Sequence, residues 1–414
     1  MDNGTRHVAS GRQIDGLSRI QTLIIAAAAG VSVANVYYAQ PLLDVMGGDF
    51  GISSSAIGLI VTLTQVGYGL GLIFIVPIGD LVDRSRLIVG QGILSVIALV
   101  AVATSGTETM LFAGMAVMGL LAVVVQVLVA HAAALATAAQ RGRVVGMVTS
   151  GIVTGILAAR SIAGVVADLG GWRAVYMVSA VLTLLMVGLV AWVLPREPGK
   201  RSLDTYAGAL LSIPLMLLRE PVLRVRAALA ALIFAAFSTF WTALVLPLSA
   251  PPLSYSHTEI GLFGLVGLAG AIAATYAGKI ADRGHGQWTT GVSLAILMAS
   301  WGLIAFLPFS IPLLVVGVLL LDLAVQAVHV TNLSTVVALQ PQNSGRMIGG
   351  YMVFYSIGSA IGATGTTTAY AHFGWPGVCA LGASFSAAAL SLWVATLPSV
   401  NTDLRSLLDR WKRR

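Results

Sequence analysis

Few side chains in this 414-residue chain stand where they could do chemistry, and the most suggestive is Asp322. It lies about eleven residues into an apolar run, on the order of 16 Å along a helix that rises ~1.5 Å per residue. That depth is near the midplane of a hydrocarbon core about 30 Å thick. Gln326 and His329 follow at i+4 and i+7, so all three share one helix face. An ionisable group at such a depth is costly and points to function by default. A carboxyl that passes between a dry site and one beside water or a cation can take up and release protons near neutral pH. Asp322 is therefore the expected proton carrier, with His329 as a candidate relay. A static aspartate paired with a neighbouring helix, or a direct substrate contact, are the alternatives.

Arg160 is the second charge inside an apolar run, some seven residues from that run's end. Arginine keeps its proton at accessible pH, so its guanidinium needs an anion or water. An ion pair with Asp322 or Asp44, an anionic substrate, and snorkelling to the interface would each satisfy it. Polar and aromatic positions complete the candidate cavity. Asn35 and Tyr38 are i,i+3 just before Pro41 and are expected to face it together, with Tyr37 turned away. Phe237 and Trp241 are i,i+4; Gln126 is preferred to His131, five residues later, because the two cannot face one way. An aromatic wall with few fixed charges suits bulky, partly apolar compounds, although ordinary helix packing uses the same residues.

The elements that position these side chains follow from composition. The chain is 57% hydrophobic and 9% charged, with mean hydropathy +0.91, where a soluble surface needs about 25% charged residues. Runs long enough to cross a bilayer are expected at 20–46, 55–78, 87–105, 109–138, 144–167, 173–194, 225–249, 258–281, 288–307, 311–338, 347–370 and 375–397. Twenty-one of the 23 Lys and Arg residues fall on one side of that zigzag. Positive residues near span ends stay in the cytoplasm, which puts both termini on the cytoplasmic side of an inner membrane. The same distribution accounts for the net charge of +7 without nucleic acid. The single cysteine, Cys379, can form neither an internal disulfide nor a metal cluster.

The two halves repeat in order. Gly79–Arg84 echoes Gly278–Arg283, Val125-Gln126 echoes Val325-Gln326, Arg143 echoes Arg346, and Gly171-Trp172 echoes Gly374-Trp375. Because each half has six spans, the copies are parallel repeats about an axis along the membrane normal. The expected organisation is a cytoplasmic segment 1–19, a six-helix bundle 20–194, a basic linker 195–224, a second bundle 225–397 and a tail 398–414. In the tail, Leu404, Leu407, Leu408 and Trp411 form an amphipathic stripe that would lie on the cytoplasmic leaflet. Glycine pairs at i,i+4, such as Gly67/Gly71, Gly151/Gly155 and Gly358/Gly362, let helices approach closely. Their place in the second and fifth helices of each half suggests a rocking interface between pairs two/eleven and five/eight.

These features resemble the major facilitator superfamily over nearly the whole chain: an all-α membrane fold of twelve transmembrane helices in two parallel six-helix repeats. Gly79-Asp80-Leu81-Val82-Asp83-Arg84-Ser85-Arg86 looks like that family's loop between helices two and three, whose charges latch the halves on the cytoplasmic side. The resemblance implies a latch made by Gly79, Asp83, Arg84 and Arg86, with Asp282 and Arg283 as the second copy. It also implies that helices one, four, seven and ten line the cavity, which brings in Asn35, Tyr38, Gln126, Phe237, Trp241 and Gln326. Within the family the chain is most similar to twelve-span bacterial drug or metabolite exporters that exchange substrate for protons. It departs from them at Met115, where they carry an arginine, and in Gly151–Ile156, which lacks their proline.

The expected function is proton-coupled efflux of a small organic compound by a monomer that needs no cofactor. A proton-linked importer or uniporter of a sugar, amino acid or organic acid keeps the same fold; a non-transporting sensor or channel is the rival from another class. No phosphate-binding Gly-x-x-x-x-Gly-Lys-Ser/Thr loop and no His-Glu-x-x-His pair occur in the chain, so neither an ATP-driven pump nor an enzyme is expected.

Overall fold

The computed structural model describes residues 16–137, 139–194, 205–340 and 344–412, and among these no strand occurs. The side chains of Asp282 and of the tail from Pro398 onward, with its leucine stripe, lie outside the described residues, as does the segment before Gly16. Among the described residues, eight helices are long and apolar enough to cross a membrane by length and composition. One of them, Gly345–Leu397, is two passes joined at Gly374. The remaining passes are span one, which is broken near Pro41, and the helices His257–Ile280 and Gly286–Ile304. Among the described residues the chain therefore makes twelve passes, and the fold is all-α, as its sequence predicts.

Local chemistry sets the ends of these helices. Ser18 and Gln21 form a reciprocal capping box at the start of span one, Arg19–Ala34. Asp83 caps span three, Arg84–Ala103, and Thr107 and Ser310 cap the helices that follow them. The repeated Gly-Trp pairs have a shared cause. Gly171 (φ 80°) and Gly374 (φ 61°) each turn the chain through a backbone conformation open to glycine, so that one span follows another with almost no loop. The tryptophan after each is then buried, and Trp375 Nε1 donates to Ile304 O at 3.0 Å.

The i,i+4 glycine pairs expected at a sliding interface between halves instead serve contacts inside each half. A methyl on Gly151 or Gly155 would collide with the backbone of Ala26 or Gly30 in span one, and one on Gly67 or Gly71 with that of Ala116 or Leu120 in span four. Gly358 and Gly362 lie in the same way against Ala231 and Ala235 of span seven. The halves do meet through pairs two/eleven and five/eight, but by other residues. Gly164 abuts His257 O, Gly261 abuts Arg160 O, and Ser161 Oγ donates to Gly261 O at 2.8 Å. Thr62 and Thr364 are hydrogen-bonded at 2.7 Å, and Thr367 Oγ1 donates to Ser55 O at 3.1 Å. All of these lie toward the face away from Arg19, called the far face below.

Candidate functional site

Span one provides the first wall because it is not one helix. Its α-helix ends at Ala34, turns of the i→i+3 type carry the chain through Val36 and Tyr37, and a 3-10 turn at Gln40–Leu42 contains Pro41. Proline lacks the N–H that a continuous helix would use, and the tighter turns shift the phase of every side chain after Ala34. The faces are consequently exchanged. Asn35 Oδ1 accepts from Ser179 Oγ at 2.5 Å, and Tyr38 is likewise buried beside span six. Tyr37 and Gln40 take the central position that a regular helix gives to Asn35 and Tyr38. Tyr37 Oη is hydrogen-bonded to Tyr355 Oη across the halves.

Arg160 and Asp322 approach this wall from opposite halves. Arg160 is 1% exposed; its Nε donates to Gln40 Oε1 at 3.0 Å, and its guanidinium lies 3.9 Å from the Trp241 ring centroid. Tyr37 and Phe237 offer ring faces at 5.1 and 5.6 Å. Stacking on desolvated aromatic faces is worth roughly 2 kcal/mol per good contact, less than a buried cation loses by leaving water. Arg160 Nη1 and Nη2 have no protein partner. Asp322, also 1% exposed, accepts from Trp241 Nε1 at 3.2 Å through Oδ1, while Oδ2 has no partner. Trp241 thus shows its face to the cation and its edge to the carboxyl. Asp44, the other candidate partner of Arg160, is engaged by His257 instead.

Span eight fits between the two charges because its contacting face is glycine. Gly261 and Gly264 pack against Arg160 and Leu157 of span five, while Gly267 and Gly270 pack against Asp322 and Leu319 of span ten. A spacing of three residues turns back by about 60° at each step, so the glycine row winds around the helix from the side facing span five to the side facing span ten.

The other candidates fall around this centre. Phe237 and Trp241 are buried beside Arg160. Gln126 is half-buried and donates from Nε2 to Tyr68 Oη at 3.3 Å, and Tyr68 stands edge-on to Tyr355. His329 Nδ1 is 2.9 Å from Tyr351 Oη, and Phe234 stands edge-on to its ring. Gln326 is half-buried one turn from Asp322. His131 lies apart, with Nε2 at 3.2 Å from Ser85 Oγ beneath the loop after span two. In that loop Asp83 Oδ1 accepts from Ser85 N at 2.9 Å, Arg86 is 3.7 Å from Asp83, and Arg84 Nε donates to Gly79 O at 3.0 Å. Arg283 is exposed.

Sequence reasoning passed over two sets of residues. Arg226, counted among the 21 basic residues on the cytoplasmic side, is 2% exposed within span seven and donates from Nη1 to Asn332 Oδ1 and Thr290 Oγ1. At the far mouth His257 stands between Asp44 and Asp168. Its helix-start position beside Thr258 and Glu259 was the available signal. Among the described residues no cluster of His, Cys, Asp or Glu is arranged to hold a metal ion.

Twelve helical passes in two repeated halves, with charged and aromatic groups meeting between them, define a multi-pass membrane transporter. The family model of the Major Facilitator Superfamily matches residues 25–363 and 229–412, and the chain belongs to that superfamily. It is 43% identical over 378 residues to the uncharacterized transporter YgaY of Escherichia coli O157:H7, covering 91% of this chain and 95% of the relative. It is 32% identical over 382 residues to a probable transporter, SCO4007, of Streptomyces coelicolor, covering 91% and 87%. In fold it matches a bacterial homologue of the human lysosomal transporter Spinster, in an inward-facing and occupied conformation, with TM-score 0.74, 14% identity and coverage of 91% and 96%. The human organic anion transporter MFSD10 matches with TM-score 0.69, 18% identity and coverage of 91% and 100%.

Proposed function

We propose that the chain exports a small, partly apolar organic compound in exchange for protons by alternating access, with Asp322 as the proton carrier. The observation that carries this reading is the pairing at Asp322: Oδ1 is held by Trp241, and Oδ2 is buried without a partner. A carboxylate oxygen left bare in a dry site is costly, and a proton relieves it. Opening the site to water on one side restores hydration and releases that proton. Substrate would lie against Tyr37, Phe237 and Trp241, where the same movement that wets Asp322 also changes the aromatic wall. The latch loop, with Asp83 and Arg84, would hold the cytoplasmic side in the opposite state. Placing Arg19, the linker and the tail in the cytoplasm of an inner membrane follows the distribution of basic residues. A single chain supplies every group invoked, so a monomer suffices.

A second reading has its own support. Arg160 Nη1 and Nη2 are free, and neutralising Asp322 by protonation leaves that cation uncompensated. An organic anion and a proton would then bind together and move in the same direction, as in a proton-linked importer of an organic acid. Growth of an efflux-deficient bacterium on a diverse panel of toxic organic compounds separates the two. Export predicts resistance and lowered accumulation in cells expressing the wild type, both lost in Asp322→Asn at matched membrane levels. Import of an anion predicts increased sensitivity to toxic carboxylates.

A further inference from the structure

Three titratable groups meet at the far mouth, well away from Asp322. His257, at the start of span eight, points Nε2 at Asp44 Oδ1 (3.1 Å) and Nδ1 at Asp168 Oδ1 (3.2 Å). Asp44 comes from span one and Asp168 from span five, so one half supplies both carboxylates and the other supplies the ring. A neutral imidazole has one N–H and one bare nitrogen. Between two carboxylates it would leave lone pairs facing one another at one end. The arrangement is satisfied at both ends only if the cluster holds one further proton, shared between ring and carboxylates.

We propose that His257, Asp44 and Asp168 form a second proton-binding site, which ties closure of the far mouth to the acidity of the solution bathing it. That this solution is the external one rests on the orientation given above. Asp168 is fixed independently of the ring: it accepts from His257 N at 3.2 Å and from Thr258 N at 2.8 Å, seating the start of span eight. Gly164, one turn earlier, lets span five lie against His257 O. The His257 side chain is 18% exposed, so solvent protons reach it. Among the described residues, the other charged groups near the mouth are engaged elsewhere. Glu259, on the same helix, accepts from Ser256 N, Asp49 is paired with Arg173 and Trp172, and Arg160 turns inward to Trp241.

When the halves part at this mouth, ring and carboxylates separate, and the histidine returns to water with its ordinary pKa of about 6.5. Closing takes up a proton and opening releases one. By linkage, acid must then favour the closed mouth, and alkali the open one. The site sets how often the far mouth is closed, whereas Asp322 is the group that carries the proton through.

The test measures conformation directly. Spin labels at Ser54→Cys and Ala371→Cys, both exposed positions on opposite halves at the far face, are introduced with Cys379→Ala, which removes the only native cysteine. Distances are recorded in liposomes across the pH range that titrates histidine. The closed fraction should rise as pH falls, the closed-to-open ratio changing by at most about tenfold per pH unit, the limit for one proton. In an Asp322→Asn background, where the proposed carrier takes up no proton of its own, the response should persist; there His257→Gln should abolish it and His257→Arg should keep the mouth closed throughout. No response in the labelled Asp322→Asn protein, or a response there that His257→Gln leaves unchanged, would overturn the proposal. None of these outcomes depends on transport, so export could fail while this site stands.

Discussion

Gly267 vacates the space that Asp322 Oδ2 occupies: a methyl group there would collide with the carboxyl oxygen. Span eight thereby touches the carboxyl without offering it a hydrogen bond, and any sliding of that helix changes the surroundings of Oδ2. Gly267→Ala should push the carboxyl off Trp241 and lower the exchange rate about tenfold, equivalent to ~1.4 kcal/mol. Gly106→Ala, where nothing lies within 4 Å, should leave it unchanged. Counterflow in proteoliposomes makes the comparison.

Trp241 serves two charges by different parts of one ring. Trp241→Phe keeps a ring face for Arg160 but removes the N–H that Asp322 Oδ1 accepts. A hydrogen bond to a charged group contributes about 1.5–3 kcal/mol, so exchange should fall by ten- to a hundredfold. Trp241→Ala, which also uncovers the guanidinium, should fall further. Equal activity in wild type and Trp241→Phe would mean that Asp322 does not need the indole.

Asp49, beyond the membrane-spanning part of span one, accepts from Trp172 Nε1 at 2.8 Å and pairs with Arg173. These partners, Trp172 first, hold its carboxyl below the usual carboxylate range. A depressed folded-state pKa contributes stability above the unfolded value and loses it as pH falls through the folded one. Asp49→Asn should accordingly melt below the wild type in detergent near neutral pH. The gap should close on acidification through and below the ordinary carboxylate range. A gap that persists in strong acid would assign the effect to packing.

Gly155 meets the backbone of Gly30, an obstacle that cannot swing aside. Gly155→Val should destabilise the folded protein by 1–3 kcal/mol or more, the range for overpacking a close contact. Gly188→Ala, in open space, should be nearly neutral in the same thermal unfolding measurement.

The buried charges were legible in the sequence because Arg160 and Asp322 interrupt apolar runs where little else is polar. The Gly-Trp repeats were legible too, since each marks a turn that glycine alone makes easily. The facing of span one was not. Helical spacing joins Asn35 to Tyr38, but the turns before Pro41 advance the chain by a different angle and bring Tyr37 and Gln40 inward. The glycine pairs told of close helix approach without naming the partner, since spacing is the same for a contact within a half or between halves. Arg226 read as a loop cation because its buried partners, Asn332 and Thr290, are 106 and 64 residues away. His257 gave little sign, because its meaning comes from two carboxylates on distant helices.

The most direct test of the central claim is proton exchange at Asp322. Everted membrane vesicles are acidified inside by respiration, and the toxic compounds are added one by one while a fluorescent probe reports the gradient. Wild-type vesicles should release protons on addition of at least one compound, and Asp322→Asn vesicles with the same amount of protein should release none. Equal release from both would place proton coupling elsewhere and contradict the role given to Asp322.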